Sequence, residues 1–178
     1  MSQLHQHIQS EVTIIGGGIV GCCTALELRK RNFIVTIVEK GYLNGGASCN
    51  NAGGLYFQLQ NQAGNFNESQ QRELKKSLGL ILNSRKSWVE LNEYLNNKDG
   101  FNLNGGFIVA FNDEQAASLK KKHKLEMEWG INTELVTREE ILKLMPYVSP
   151  HITGGSYHSG EGFADPEIIG KKLKEKLL

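Results

Sequence analysis

Three glycines and one acid carry the strongest chemical signal in the chain. Gly16, Gly18 and Gly21 stand at the spacing G-x-G-x-x-G, directly after the apolar run Val12-Thr13-Ile14-Ile15. Glu39 follows Gly18 by 21 residues and closes a second apolar run, Phe33 to Val38. These residue types, so spaced, can bind a dinucleotide. Gly16 permits a tight turn out of a strand, Gly18 lets backbone approach a diphosphate with no Cβ between them, and Gly21 lets the next helix close on the strands. Ile19, Val20 and Gly21 open that helix, whose first N–H groups and positive dipole end face the phosphates. An acid about 20 residues beyond the glycines accepts ribose hydroxyls.

The elements that must position these groups can be read around them. Val12 to Ile15 predicts a strand, Ile19 to Arg31 a helix, and Phe33 to Val38 a second strand. The segment Gly41 to Gly54 is rich in Gly, Asn, Ser and Ala, and is too long for an ordinary connection, which marks it as functional. Leu55 to Leu59 can be extended, and Asn61 to Asn67 reads as loop. Leucines, Ile81 and Trp88 at spacings of three and four predict one long helix over Glu68 to Asn96. Gly100 to Phe111 predicts a short hairpin with a buried second strand. Asn112 with Gln115 starts a helix with Ala116, Leu119, His123 and Met127 on one face, His123 being structural, and Gly130 ends it. A strand over Ile131 to Val136 follows, then a capping box at Thr137 and Glu140 before a helix that Pro146 stops. Ile152 to Tyr157 predicts a strand. Asp165-Pro166 caps a last amphipathic helix with Ile168, Ile169, Leu173 and Leu177. That helix runs to Leu178 without a cap, so the chain reads as cut off.

Composition narrows the classes. The 178 residues carry a net charge of +1, so no global field favours nucleic acid or an anionic membrane. Lys120, Lys121, Lys122 and Lys124 read as a solvated helix face. No apolar run reaches the roughly 18–20 residues of a membrane span. The opening segment Met1 to Ser10, with His5 and His7, lacks a signal peptide's apolar core, which makes the cytoplasm the default location. The three cysteines, Cys22, Cys23 and Cys49, form no C-x-x-C and no metal-ligand set. Cys22 and Cys23 read as packing residues, and Cys49 as a small residue of the glycine-rich loop.

Several stretches together resemble the D-amino-acid oxidase superfamily of FAD-dependent oxidoreductases, of the glycine or sarcosine oxidase and D-amino-acid dehydrogenase type. They are Val12 to Gly21, Val38-Glu39-Lys40, Gly46 to Leu55, Gly105-Gly106-Phe107, Thr137 to Glu140 before Met145-Pro146, and Gly160 to Pro166. The loop Ser48 to Gly54 and the stretch Gly162 to Pro166 are the more specific of these. The resemblance implies an α/β, Rossmann-like FAD domain interrupted by part of an α+β substrate domain. Residues 1–67 would form the first FAD-binding segment, 68–157 the partial substrate domain, and 158–178 an incomplete return. It implies FAD contacts from Gly16, Gly18, Ile19, Val20, Gly21, Glu39, Lys40, Ser48, Asn51, Ala52, Gly53, Gly54 and Leu55. Ser48 and its neighbours would meet the pyrophosphate, and Asn51 to Gly54 would run past the flavin ring.

The implied activity is oxidation of a small amino or imino acid by hydride transfer from its Cα to flavin, giving an imine that water hydrolyses. The chain departs from the family pattern in two ways. No arginine lies between Arg31 and Arg72 to hold a substrate carboxylate soon after the loop, and no histidine lies between His7 and His123 to attach flavin covalently. The flavin is therefore expected to be non-covalent, and no catalytic side chain is named. The resemblance also places this chain as the N-terminal half of such an enzyme, inactive alone and completed by a missing C-terminal half or a partner subunit. Three alternatives stay open at this point: an FAD-dependent 2-hydroxy-acid dehydrogenase, an NAD-linked dehydrogenase, and a non-catalytic nucleotide-binding module.

Overall fold

Strand β1 (Val12–Ile15), helix α1 (Ile19–Lys30) and strand β2 (Val35–Val38) form in the order that the glycine turn requires. The two strands pair in parallel, Val12 opposite Val35 through Ile15 opposite Val38. In this computed structural model residues 9–178 are described. Most of the polar opening segment, with His5 and His7, lies outside the described residues, and so does the reading of that segment as lacking an apolar core. The fold is α/β and falls into two compact units. The first runs to Gly53 and adds Tyr94–Gly100 and Ala164–Leu178; the second comprises Gly54–Glu93 and Phe101–Phe163.

In the first unit α1 packs on the last helix, α2 (Pro166–Leu177). Cys22, Ala25 and Leu26 of α1 and Ile169 and Leu173 of α2 are buried, as is Leu95. Asp165 caps α2 as expected, its carboxylate accepting from the N–H groups of Glu167 and Ile168 at 2.9 and 3.0 Å, with proline at the first turn. At the other end the Arg29 guanidinium donates to the carbonyls of Lys176 and Leu177 at 3.1 Å each. It thereby satisfies acceptors that a helix end leaves open.

The second unit holds two small sheets. Strands β3 (Gly54–Leu55), β4 (Phe101–Asn102) and β5 (Gly162–Ala164) make one, with β5 in the middle. Strands β6 (Gly106–Ala110), β7 (Glu134–Val136) and β8 (Gly154–His158) make the other, antiparallel, with β8 in the middle. The expected hairpin over Gly100 to Phe111 is therefore corrected: β4 and β6 lie in different sheets, because β4 pairs with Gly162–Ala164 and β6 with Gly154–His158, both far along the chain. The long helix expected over Glu68 to Asn96 is also corrected. It is broken into α3 (Glu68–Lys76) and α4 (Leu78–Tyr94) at Ser77, whose hydroxyl donates to the Leu74 carbonyl. Asn61–Asn65 is a 3₁₀ turn rather than plain loop. Gly64 lets this turn lie against helix α5 (Asp113–Glu128), since a Cβ there would collide with the Ser118 carbonyl oxygen. The expected caps of α5 and of α6 (Arg138–Leu144) are present, at Asn112 with Gln115 and at Thr137 with Glu140.

Helix α5 also carries the largest correction. Lys122 is not on a solvated face: it is fully buried, together with Glu126 one turn on. Of the expected face, Leu119 is buried and Ala116 and His123 are half-buried, but Met127 is about half exposed. Lys122 Nζ donates to both Glu126 carboxylate oxygens at 2.9 and 2.8 Å and to Gln58 Oε1 at 3.1 Å. Gln58 accepts a second bond from Ser156 and donates through its amide to Glu161. Glu161 accepts from the backbone N–H groups of Phe57 and Gln58, and Glu126 from that of Leu59, each at 2.7 Å. Two buried carboxylates thus take the three N–H groups that an extended Leu55 to Leu59 strand would have given to a neighbour. That is why the strand stops at Leu55. Thr133 donates to Glu126, so its hydroxyl accepts from His123 Nδ1, which fixes that ring's proton on Nδ1. His123 is structural, as its position on the helix suggests.

One titration follows from the same region. Burial pushes His158 below its ordinary pKa of 6.5, with Arg85 adding to the effect and Glu161 and Glu126 opposing it. Its Nδ1 accepts the Gly160 N–H at 3.0 Å, a bond that protonation removes. The unfolded chain therefore binds the proton more readily, and stability falls as pH drops from 6.5 through the lower folded value. The urea midpoint is expected to fall between about pH 7.5 and about pH 5.5, and His158→Gln to reduce that fall. An identical slope in the variant would exclude His158 as its source.

Candidate cofactor site

The glycine turn is built by backbone bonds and two side chains. Gly16 adopts φ +103°, a region that L side chains rarely enter, and its N–H donates to the Val38 carbonyl at 2.8 Å. That bond ties the end of β1 to the end of β2. The Gly17 N–H donates to Glu39 Oε2 at 2.7 Å, and the Gly41 N–H to Glu39 Oε1 at 2.9 Å. These two bonds hold the Glu39 carboxylate below its ordinary range, so it is ionised at neutral pH. A carboxylate has about four lone-pair sites, so two N–H partners leave it able to accept ribose hydroxyls. Its charge opposes a phosphate group on that ribose.

Gly18 is the residue before α1, and no side chain of its own caps the helix. The Ser48 hydroxyl, from the glycine-rich loop, accepts the Ile19 N–H at 3.0 Å. A Cβ built on Gly18 would meet only that Ser48 oxygen, at 3.0 Å. A Cβ on Gly21, by contrast, would collide with the Gly16 carbonyl oxygen and touch Ile14. The two glycines therefore do different work: Gly21 closes the helix on the strand, and Gly18 leaves the turn accessible. No acid sits in the first turn of α1, so its positive end is uncompensated there.

The loop from Gly46 to Gly53 is a series of stitched turns. Asn50 Nδ2 donates to the Gly46 carbonyl and Asn51 Nδ2 to the Ser48 carbonyl, both at 2.8 Å. Asn51 Oδ1 accepts the Gly53 N–H at 2.8 Å, and Gly53 takes φ +70°.

The structure brings Gly16, Gly18, Ile19, Gly21, Glu39 and Ser48 together around one turn. Val20 points outward and is 77% exposed. Lys40 is exposed, its backbone N–H and its charge adding to what holds Glu39 ionised, and Ala52 is exposed in the loop. Gly54 and Leu55 lie in β3, paired with Phe163 and Gly162. One residue escaped the sequence reading. Asn44, buried and at φ +60°, gives its N–H to the Gly17 carbonyl at 2.6 Å and its amide to the Pro166 carbonyl at 3.1 Å. It ties the turn to the head of α2. The signal was Asn44-Gly45-Gly46, since Asn tolerates positive φ.

Neither helix cysteine is prepared for thiolate chemistry. Burial raises Cys22, with Glu39 adding to it, and burial first of all pushes Cys23 up to about 11. Among the described residues no group of three His, Cys, Asp or Glu side chains could hold a metal ion. Nor is any helix there long and apolar enough to cross a membrane.

The arrangement suits FAD: an open glycine turn at a helix head, a hydroxyl beside it, and an ionised acid 21 residues on. Known proteins agree. A glycerol 3-phosphate oxidase of Mycoplasma pneumoniae is 32% identical over 92% of this chain and 41% of its own. The structure of L-α-glycerophosphate oxidase from the same organism, with FAD bound, superposes with TM-score 0.74 at 30% identity, over 96% of this chain and 43% of that one. Glycine oxidase of Geobacillus kaustophilus superposes with TM-score 0.76 at 28% identity, over 92% and 43%. The chain thus spans about two fifths of the length of these relatives. Residues 11–177 match the DAO family of FAD dependent oxidoreductases, and the chain belongs to that family.

Proposed function

We propose that the complete gene product binds FAD non-covalently at this turn and oxidises a small amino or imino acid. The observation that carries the cofactor assignment is the turn itself: Gly18 accessible, Ser48 at the head of α1, and Glu39 ionised beside it. When bound, FAD supplies the two-electron oxidation. The chain's own residues hold and orient it. The Ser48 oxygen is occupied by the Ile19 N–H, which leaves its proton for a phosphate oxygen. Gly16, Ile19, Val20 and Gly21 bring backbone to the pyrophosphate. Glu39 takes the ribose hydroxyls with Lys40 beside it, and Asn51, Ala52, Gly53, Gly54 and Leu55 line the path of the ring. Support for an amino acid substrate comes from the likeness to glycine oxidase.

A second reading, oxidation of a hydroxyl on a phosphorylated polyol, is favoured by the relative named for glycerol 3-phosphate. In either case the rest of the substrate site comes from polypeptide outside residues 1–178, and these residues alone leave flavin unreduced.

The test is to mix the FAD-loaded complete gene product, without oxygen, with glycine, D-alanine, lactate or glycerol 3-phosphate and to follow the visible flavin band. Bleaching is expected with an amino acid. Bleaching by glycerol 3-phosphate alone would select the second reading, and bleaching by lactate alone a hydroxy-acid dehydrogenase. For the cofactor, Glu39→Gln keeps shape but removes charge, and is expected to weaken FAD binding roughly tenfold or more. An unchanged dissociation constant, measured by flavin fluorescence, would remove Glu39 from the site.

A further inference from the structure

The second unit contains a cavity of about 250 Å³ between α4, the turn after α5 and the end of β8. Phe57, Ile81 and Ile131 give it an apolar wall, while Arg85, His158 and Asn132 are its main polar groups. Among the described residues no acidic side chain lines it. Arg85 has no carboxylate within ion-pair distance and donates no hydrogen bond to protein among the described residues. The guanidinium lies across Gly160, next to His158. A Cβ on Gly160 would collide with the Arg85 side chain and come within 2.9 Å of His158 Cε1, so only glycine leaves both groups in place.

The imidazole is oriented as well. Its Nδ1 accepts the Gly160 N–H, so the neutral ring carries its proton on Nε2 and offers a donor. Its ring lies tilted at 53° beside Phe57, ring centroids 6.3 Å apart. Glu161, the nearest acid in sequence, has its oxygens taken by Phe57, Gln58 and the Gln58 amide, and does not line the cavity.

We propose that this cavity binds a small organic carboxylate with a short apolar body. A guanidinium fork without a protein partner among the described residues matches a planar carboxylate in a bidentate way. The imidazole Nε2–H supplies a further donor, and the Phe57–Ile81–Ile131 wall accommodates a few carbons. An anion without carbon leaves that wall uncovered, and a much larger one exceeds the cavity of about 250 Å³. The proposal stands on the second unit alone and does not depend on the flavin assignment.

The experiment is a titration of the chain at neutral pH with isovalerate, following the His158 ring resonances by NMR, with isoamyl alcohol and inorganic phosphate as parallel probes. A saturable shift is expected with isovalerate only. Arg85→Gln, on an exposed helix position, is expected to weaken that binding at least about tenfold, and Arg85→Lys to weaken it less, because the charge stays and the fork goes. Helix content by circular dichroism confirms that the variants are folded. No saturable shift with isovalerate, equal binding of the uncharged alcohol, phosphate binding in place of isovalerate, or an unchanged affinity in Arg85→Gln would each overturn the proposal.

Discussion

Lys122→Met is expected to destabilise the second unit by about 3–5 kcal/mol, the effect of removing one partner from a buried ion pair. Lys122 and Glu126 are both fully excluded from water. Burial pushes the Lys122 ammonium below its ordinary pKa, and the bond to Glu126 and the charge of Glu161 oppose that push. Methionine retains much of the stem and the packing, so the change isolates the charge. Glu126 then keeps the Leu59 N–H and the Thr133 hydroxyl, but it is left a buried carboxylate with no cation beside it, in a network that holds a second buried carboxylate, Glu161. Gln58 Oε1 also loses a donor. Against a domain stability of about 5–15 kcal/mol this is a large fraction. The check is urea unfolding at neutral pH. Adding Glu126→Gln to Lys122→Met removes the unpaired charge while keeping an oxygen for the Leu59 N–H, and is expected to recover about half of the loss. If Lys122→Met shifts stability by less than about 0.5 kcal/mol, the size of an ordinary surface change, the buried network does not hold this unit together.

What could be read from the sequence and what could not divide along one physical line. The β1–α1–β2 unit was legible because its instructions are local: an apolar run, a turn that needs glycine, a helix, a second run, an acid. The caps at Asn112, Thr137 and Asp165 were legible for the same reason, each being a side chain answered three residues on or sooner. Lys122 was misread because its burial depends on Gln58, 64 residues away, and no local pattern announces such a partner. The sheet assignment of Phe101–Asn102 was misread because β5, not a nearby turn, decides where it pairs. The cofactor turn lies between these cases. Its glycines and Glu39 were legible by type and spacing, whereas their bonding was not. The N–H of Gly17 on Glu39, Ser48 at Ile19, and Asn44 tying the turn to α2 all follow from tertiary closure.

That closure separates two glycine substitutions that spacing alone treats alike. Gly18→Val is expected to weaken FAD binding by more than about a hundredfold, roughly 2.7 kcal/mol, while leaving the fold in place. Gly18 has φ −73° and ψ −177°, extended backbone that valine adopts readily. A Cβ there meets only the Ser48 oxygen, whose side chain can rotate away. The new methyl groups then fill the space in which the proposed pyrophosphate meets the head of α1, and disturb Ser48 as well. Gly21→Val is expected to fail earlier. Its Cβ runs into the Gly16 carbonyl oxygen, a backbone atom held by the turn, so α1 must move off β1 and the first unit loses its packing. The two variants are compared by flavin retention in the complete gene product and by thermal unfolding. Gly18→Val should unfold near the parent temperature measured without FAD, and Gly21→Val well below it or without a cooperative transition. Stoichiometric FAD in Gly18→Val would remove the pyrophosphate from this turn, and a Gly21→Val protein as stable as the parent would show that the helix closes on the strand by other means.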